Sequence, residues 1–377
     1  MKSSVWASRL PWSLVIAALL LIGLGLLAIA RVDDLTEANG RLVRQQMAFG
    51  IIAISLMFAL TIPNYQVLCR FSYGLFLLGI VLLVVVYFCP PINRSHRWIR
   101  LGPIGLQPSE LAKVLYLLAL SRYLMYRDNY RRLRGLLAPL AITLVPVLLI
   151  LKEPDLGTSM VFLPVFFVML FAAGAKRGDL ACVMLAGLLV VPLLWTQMSL
   201  EQKTRITSLF EQPPPGKRPS DEAYHLHQAK QFRAMGGVWG SFFTGSPTED
   251  PAAYRLPEAQ CDFIICVVGE RFGLVGSAFL FGLYLFFVGK AFWIAAATRE
   301  PFGRLLATGV GALFAVEVVI QAGMSAGLLP ITGLSLPLVS HGGSGLISHA
   351  IAVGLLLNVG LRPGYEVTNE PFRWVVN

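Results

Sequence analysis

Ten apolar stretches of bilayer length, separated by charged or Pro/Gly-rich joints, constrain this chain more than any other feature of its sequence. A hydrocarbon core of roughly 30 Å takes about 20 apolar residues per helix. The stretches fall at about 12–30, 45–62, 72–89, 108–126, 136–151, 156–174, 179–195, 262–289, 304–328 and 334–360. Hydrophobic residues make up 56% of the 377 and charged residues only 14%, more apolar surface than a water-soluble core of this length can hide. The pattern predicts an all-α integral membrane protein, a polytopic bundle of about ten transmembrane helices. Residues 1–377 read as a single polytopic membrane domain, with 196–261 as a long loop between helices 7 and 8.

Orientation follows from Lys and Arg. With the N-terminus inside, the inner segments hold about twice as many of these residues as the short outer ones, which sets both termini in the cytoplasm. The net charge of +10 is then largely topogenic, and the cluster from Arg127 to Arg134 reads as an anchor on anionic membrane lipid. Nothing in this distribution speaks for nucleic acid. Lys2 and Arg9 before the first apolar stretch resemble a secretion signal, but its length and the spans that follow favour an uncleaved anchor. The five cysteines form no disulfide framework.

Two outer regions are long enough to hold chemistry. In the first, Arg94, His96, Arg97, Trp98 and Arg100 precede Gln107-Pro108-Ser109-Glu110. The arginines are expected to meet lipid phosphates and Trp98 to sit at the interface. Ser109 is expected to cap a helix, with Glu110 in its first turn and Lys113 three residues on, where the two side chains share a face and can pair. In the second, Gln212 to Lys217 should be extended, and Asp221 to Met235 should form an amphipathic helix with Tyr224, Leu226 and Phe232 on its apolar side, ended by Gly236-Gly237. A loop of this length without a domain of its own is expected to fold over a membrane-surface site.

Two short turns belong beside it. Lys152-Glu153-Pro154-Asp155 packs three charges into four residues, where Pro154 stops a helix and Asp155 can cap the next. The segment 329–345, which includes Ser340, His341 and Ser344, is apolar yet full of helix breakers. Irregular backbone at membrane depth is tolerated only where it is buried or lines a wet cavity.

Asp262 stands where the acidic loop becomes the eighth helix. An ionisable residue at that boundary must cap, pair or react, and on the residues alone helix capping is the simplest reading. Glu270, eight residues on, lies about 12 Å along nearly the same stripe. It is expected to be buried and paired with Arg271 or with a polar partner on another helix, for which Glu317 and Gln321 are candidates.

Taken together, these motifs resemble the SEDS family, RodA and FtsW, polytopic glycosyltransferases that polymerise bacterial peptidoglycan. The matches are Arg44-Gln45, Arg97-Trp98-Ile99 with Gln107 to Lys113, Glu153 to Thr158, Leu256-Pro257-Glu258 with Asp262-Phe263-Ile264 and Gly273 to Gly276, and Leu336 to Ser340 with Gly342-Gly343-Ser344. They run in family order over about 320 residues. The short tail leans toward RodA, of the elongation machinery.

The resemblance implies an enzyme in the bacterial cytoplasmic membrane, with its active site on the extracytoplasmic face. It implies an inverting transfer in which the 4-hydroxyl of lipid II attacks the growing lipid-linked glycan and polyprenyl diphosphate leaves. Asp262 is then the catalytic base, Arg44 and Lys113 supply charge to the diphosphate, and Glu110 orients Lys113. Asp155 and Glu258 shape the acceptor side or hold a cation, and Gln107, Ser109, Lys152, Ser340, His341 and Ser344 complete the substrate site. The resemblance implies no certain cofactor and admits a divalent cation, magnesium or manganese. The implied partner is a class B penicillin-binding protein, whose transpeptidase cross-links the glycan.

The chain departs from the family pattern at Gln260-Cys261, Arg271, Gln321 and His341. Two other classes fit ten helices with outer charges: a flippase for lipid-linked precursors, and a non-catalytic membrane scaffold of the division or elongation machinery. A transporter should place its ionisable site near the midplane and show related halves. Here the charges cluster on one face and no internal repeat is found.

Overall fold

The computed structural model describes residues 9–36, 39–90, 97–101, 104–126, 133–198, 200–207, 209, 221–245, 256 and 258–362. A helix lies on each of the ten apolar segments. They are α1 (Trp12–Leu35), α2 (Arg41–Ala59), α3 (Tyr65–Val85), α4 (Pro108–Tyr126), α5 (Leu137–Lys152), α6 (Leu156–Ala173), α7 (Arg177–Gln197), α11 (Ile264–Ala297), α12 (Pro301–Ala326) and α13 (Gly343–Leu361). The long loop contributes α8 (Leu200–Thr207), α9 (Asp221–Met235) and the single turn α10 (Ser241–Thr244). Seven of the described helices are long and apolar enough to cross a membrane. Pro146, Pro164 and Pro192 lie inside α5, α6 and α7, a placement that membrane bundles accommodate by re-satisfying the freed carbonyls.

At the centre, α12 and α13 are mostly buried and are surrounded by α4, α6, α11 and α2. α7 leans on α6 and leaves nearly all of residues 181–189 exposed, as a lipid-facing helix does. A short antiparallel hairpin, β1 (Ile99–Leu101) with β2 (Ile104–Leu106), precedes α4 and pairs Ile99 with Leu106. The apolar periodicity gives no sign of it.

The largest difference from the sequence-based expectation is in the eighth span. α11 is broken at Gly273, whose φ of 67° and ψ of −158° are outside any helix and open to glycine alone at low cost. The segment 264–272 is therefore a short helix of its own, buried almost throughout, and the lipid-crossing part begins after the break. The freed amides of Leu274 and Val275 donate to Gly237 and Val238 at 3.0 and 3.3 Å. The long loop thus packs into the break instead of only covering the surface, and a Cβ at Gly236 would lie 1.9 Å from the Gly269 carbonyl oxygen.

The amphipathic helix forms over the expected residues, with Phe232 buried, but Tyr224 faces solvent. Cys69, Cys182, Cys261 and Cys266 are free thiols. Arg94, His96, the residues from Arg127 to Arg132 and the stretch from Gln212 to Lys217 lie outside the described residues.

Candidate active site

Asp262 closes a tight turn. Glu258 is in the left-handed region, with φ of 50°, and its carbonyl accepts from the amides of both Cys261 and Asp262 at 3.0 Å. The N-cap position of α11 is Phe263, and no side chain caps it. The expected capping role of Asp262 is thereby corrected: the turn puts its carboxylate one residue too early to reach the first free amides. That half-buried carboxylate accepts no hydrogen bond from any described residue. Burial raises its pKa most, Glu258 and Asp155 add to the rise, and Arg205 and Arg97 oppose it, leaving it at about 7.

The segment before α13 braces this turn from behind. The Ser340 hydroxyl donates to the Cys261 carbonyl at 2.7 Å and accepts from the Leu336 amide at 2.9 Å. The His341 amide donates to Gln260 O at 2.9 Å. Burial pushes the His341 imidazole below its ordinary value against the opposing pull of Asp33, so at neutral pH it adds no charge to the turn. Gln46, buried in α2, holds the same segment twice, with Nε2 donating to Ser340 O at 3.2 Å and Oε1 accepting from Gly342 N at 3.3 Å. Gly333 lies against Asp262: a Cβ there would stand 3.8 Å from Oδ2.

A second wall comes from the ends of α4, α5 and α6. Asp155 caps α6, its Oδ1 accepting from the Thr158 amide at 3.1 Å and its Oδ2 from the Thr158 hydroxyl at 2.9 Å. The same Oδ2 accepts from Gln107 Nε2 at 3.3 Å and the Ser109 hydroxyl at 3.4 Å. Helix α4 starts at Pro108, so Ser109 is inside it and not its cap, which corrects the sequence-based expectation. Proline is suited to the first helical position because it has no amide to satisfy, and the Ser109 hydroxyl is freed for Asp155.

The Gln107 amide donates to the Ser344 hydroxyl at 2.9 Å, which donates onward to Gly105 O at 2.8 Å, tying the hairpin to α13. The walls meet where Gly157 faces Thr332, too closely for any Cβ, which would lie 2.5 Å from the Thr332 carbonyl.

Arg97 is not directed at lipid as expected. Its guanidinium donates to the carbonyls of Glu153, at 2.9 Å, and Pro154, fastening the turn that presents Asp155. Glu153 itself is buried with neither carboxylate oxygen hydrogen-bonded. Its pKa is raised to about 8, mostly by burial and also by Asp155, against the pull of Arg97.

Lys113 and Glu110 lie deeper. The Lys113 ammonium is enclosed, paired with Glu110 at 3.0 Å and with Glu317, whose other oxygen bonds His349 Nε2 at 2.8 Å. Glu270 is buried and paired across to another helix as expected, but its partner is Arg31 of α1 at 2.8 Å, and Glu317 is engaged by Lys113 and His349 instead. Gln321 instead donates to the Leu334 carbonyl. Arg44 and Lys152 are exposed on α2 and α5. Arg44 approaches Gly40 and is not gathered with the carboxylates.

The expected residues that the fold brings together are Asp262, Glu258, Gln107, Ser109, Asp155, Ser340, His341 and Ser344. Gln46, Arg97 as a fastener, Arg205, Gly333 and the Arg31–Glu270 pair went unrecognised in the sequence. Among the described residues no three of His, Cys, Asp or Glu gather as metal ligands, and the Asp155 carboxylate is already filled by donors. The described residues do not fit a built cation site.

Comparison with known proteins shows the family and the fold. Residues 11–362 match the FtsW/RodA/SpoVE family, described as cell cycle proteins. A relative named probable peptidoglycan glycosyltransferase FtsW, from Trichlorobacter lovleyi, is 32% identical over 84% of this chain and 83% of its own length. One named peptidoglycan glycosyltransferase RodA, from Treponema pallidum, is 29% identical over 94% and 98%. A chain solved in work on polymerization and crosslinking by a peptidoglycan synthase complex superposes with a TM-score of 0.77 at 29% identity, over 93% of this chain and 97% of that one.

Proposed function

The chain belongs to the FtsW/RodA/SpoVE family of multi-pass membrane proteins, and from that premise we propose that it is a peptidoglycan glycosyltransferase with Asp262 as its general base. The substrate is lipid II and the second substrate a growing lipid-linked glycan. The acceptor 4-hydroxyl oxygen forms a bond to the anomeric carbon of the glycan as the bond from that carbon to the diphosphate breaks. The hydroxyl proton passes to Asp262, and the electron pair leaves with polyprenyl diphosphate. A diphosphate needs no protonation to depart, so one carboxylate suffices. A single in-line displacement with one base inverts the anomeric centre.

The observation that carries this reading is the unencumbered Asp262 carboxylate. Asp155 caps and Glu258 is exposed, while Glu153, though its carboxylate has no hydrogen-bond partner, is fully buried away from any acceptor; Asp262 is half-buried, accepts no hydrogen bond from the described residues and has its pKa lifted to about 7. A base poised near the working pH combines availability with proton affinity. Arg205 and Arg97, both close enough to act on its charge, are better placed than Arg44 or Lys113 to balance negative charge on the departing diphosphate. In this reading the site faces the outside of the cytoplasmic membrane, both termini face the cytoplasm, and residues 196–261 form an extracytoplasmic loop of one membrane domain. The synthase-complex neighbour supports a class B penicillin-binding protein as partner.

The test is lipid II polymerisation by the purified chain, alone and with its cognate transpeptidase. Asp262→Asn, folded as judged by its thermal transition, should lose at least a hundredfold in rate; polymer at the wild-type rate would overturn the assignment. The buried Glu110, Lys113, Glu317 and His349 network is the one observation that favours a lipid transporter, since ionisable groups inside helices commonly mark transport paths. Precursor movement across vesicles without polymer would move the function there.

A further inference from the structure

We propose that Arg31 is a positioning residue, which through its two-point ion pair with Glu270 fixes the short helix 264–272 and thereby sets where the Asp262 carboxylate stands. The inference rests on the reading of Asp262 as the base.

The break at Gly273 is the first reason. With φ of 67° and ψ of −158° there, the Asp262-bearing segment is not continuous in helix with the span that follows, so helix continuity does not set its orientation. Something else must. At its leading end the turn is held by Ser340 and His341 through the Cys261 and Gln260 carbonyls. At its trailing end Arg31 Nη2 donates to Glu270 Oε1 at 2.8 Å and Nε to Oε2 at 3.2 Å. Glu270 is fully buried, and the paired contacts fix direction as well as distance. The adjacent Arg271 does not substitute, since its guanidinium lies over the Phe242 ring, 5.0 Å from the centroid.

A buried ion pair is weak evidence for stability, because a well-packed apolar pair often does as well. Its best-attested use is to select one register over others. An arginine from the far end of α1 that reaches a carboxylate about two turns beyond the base is suited to that use. The consequence can be read in the titration of Asp262. Its nearest charges are Glu258 in its own turn, Arg205 on α8, Asp155 at the start of α6 and Arg97 before β1. Burial is the largest influence, so a segment that tilts toward water brings the pKa of Asp262 down.

The experiment compares wild type, Arg31→Lys, Arg31→Gln, Glu270→Gln and the exchanged Arg31→Glu/Glu270→Arg protein, with kcat, KM and the acid limb measured in lipid II polymerisation. The single neutral variants should lose about tenfold or more in kcat with KM little changed, and the limb should move below about 7. The exchanged protein should recover both. Arg31→Lys keeps the charge and tests the geometry should the neutral variants not fold: it should shift the limb in the same direction. Rates that fall only with the amount of folded protein, at an unmoved limb, would overturn the proposal, as would wild-type kinetics in Arg31→Lys. If Asp262→Asn polymerises normally, the base assignment fails first. If it is inactive while the Arg31 variants behave as wild type, only the present inference fails.

Discussion

At the scale of single residues, the site works by what its charges are already doing. Asp155 is filled by its four donors, Lys113 is enclosed by two carboxylates, and Glu153 is fully buried out of a substrate's reach, so the proposed reaction falls to Asp262. Because Glu258 helps to raise Asp262, Glu258→Gln should lower the acid limb of the pH–rate profile, measured as kcat/KM against pH. Glu153 makes a separate prediction. Its folded pKa of about 8 stands above its unfolded value near 4.3, so the stability this group contributes is complete at low pH and is lost as pH rises between those values. Glu153→Gln should flatten the fall in Tm between about pH 5 and 8, followed by thermal unfolding in detergent. Asp155, Glu258 and Asp262 were legible in the sequence because a charge beside an apolar run needs a reason. Gln46 and Arg97 were not: one is a polar residue among many on α2, and the other acts through backbone carbonyls that no side-chain pattern encodes.

At the scale of elements, the break in α11 decides the geometry. Gly236 and Gly240 of the loop fit against it so closely that a Cβ is excluded at either, and Gly236→Val would force a Cβ to 1.9 Å from the Gly269 carbonyl. That variant should lose roughly 1–3 kcal/mol of stability and most of its polymerising activity. Gly187→Ala on exposed α7, where a Cβ meets nothing within 4 Å, should keep both. The spans themselves were readable from hydropathy, and the helix Asp221–Met235 from its pattern and the glycines after it. The break was hidden because 262–289 is mostly apolar and Gly273 is one of 35 glycines; only the loop segment packed into the break makes its torsion necessary. The hairpin before α4 was hidden for a related reason, since three-residue strands carry too little alternation to register.

At the scale of the whole molecule, the two walls of the site come from widely separated parts of the chain, α2, the ends of α4 to α6, and the segment before α13, and meet at Asp262. Composition and hydropathy made the membrane class plain, whereas the meeting of these parts is a product of packing that spacing along the chain does not reveal. FtsW- and RodA-named relatives match at similar identity, 32% and 29%. The proposed orientation predicts that a single cysteine at Thr207 or Thr244, in a background without the native cysteines, reacts with an impermeant thiol reagent on intact spheroplasts, while one at Arg299 does not; the opposite pattern would invert the topology.

The most direct test of the account is the pH dependence of lipid II polymerisation by the wild-type protein between pH 5 and 9. A base that titrates at about 7 predicts a kcat/KM that climbs about tenfold per pH unit below that point and levels off above it; a rate that stays flat down to pH 5 would contradict Asp262 as the proton acceptor.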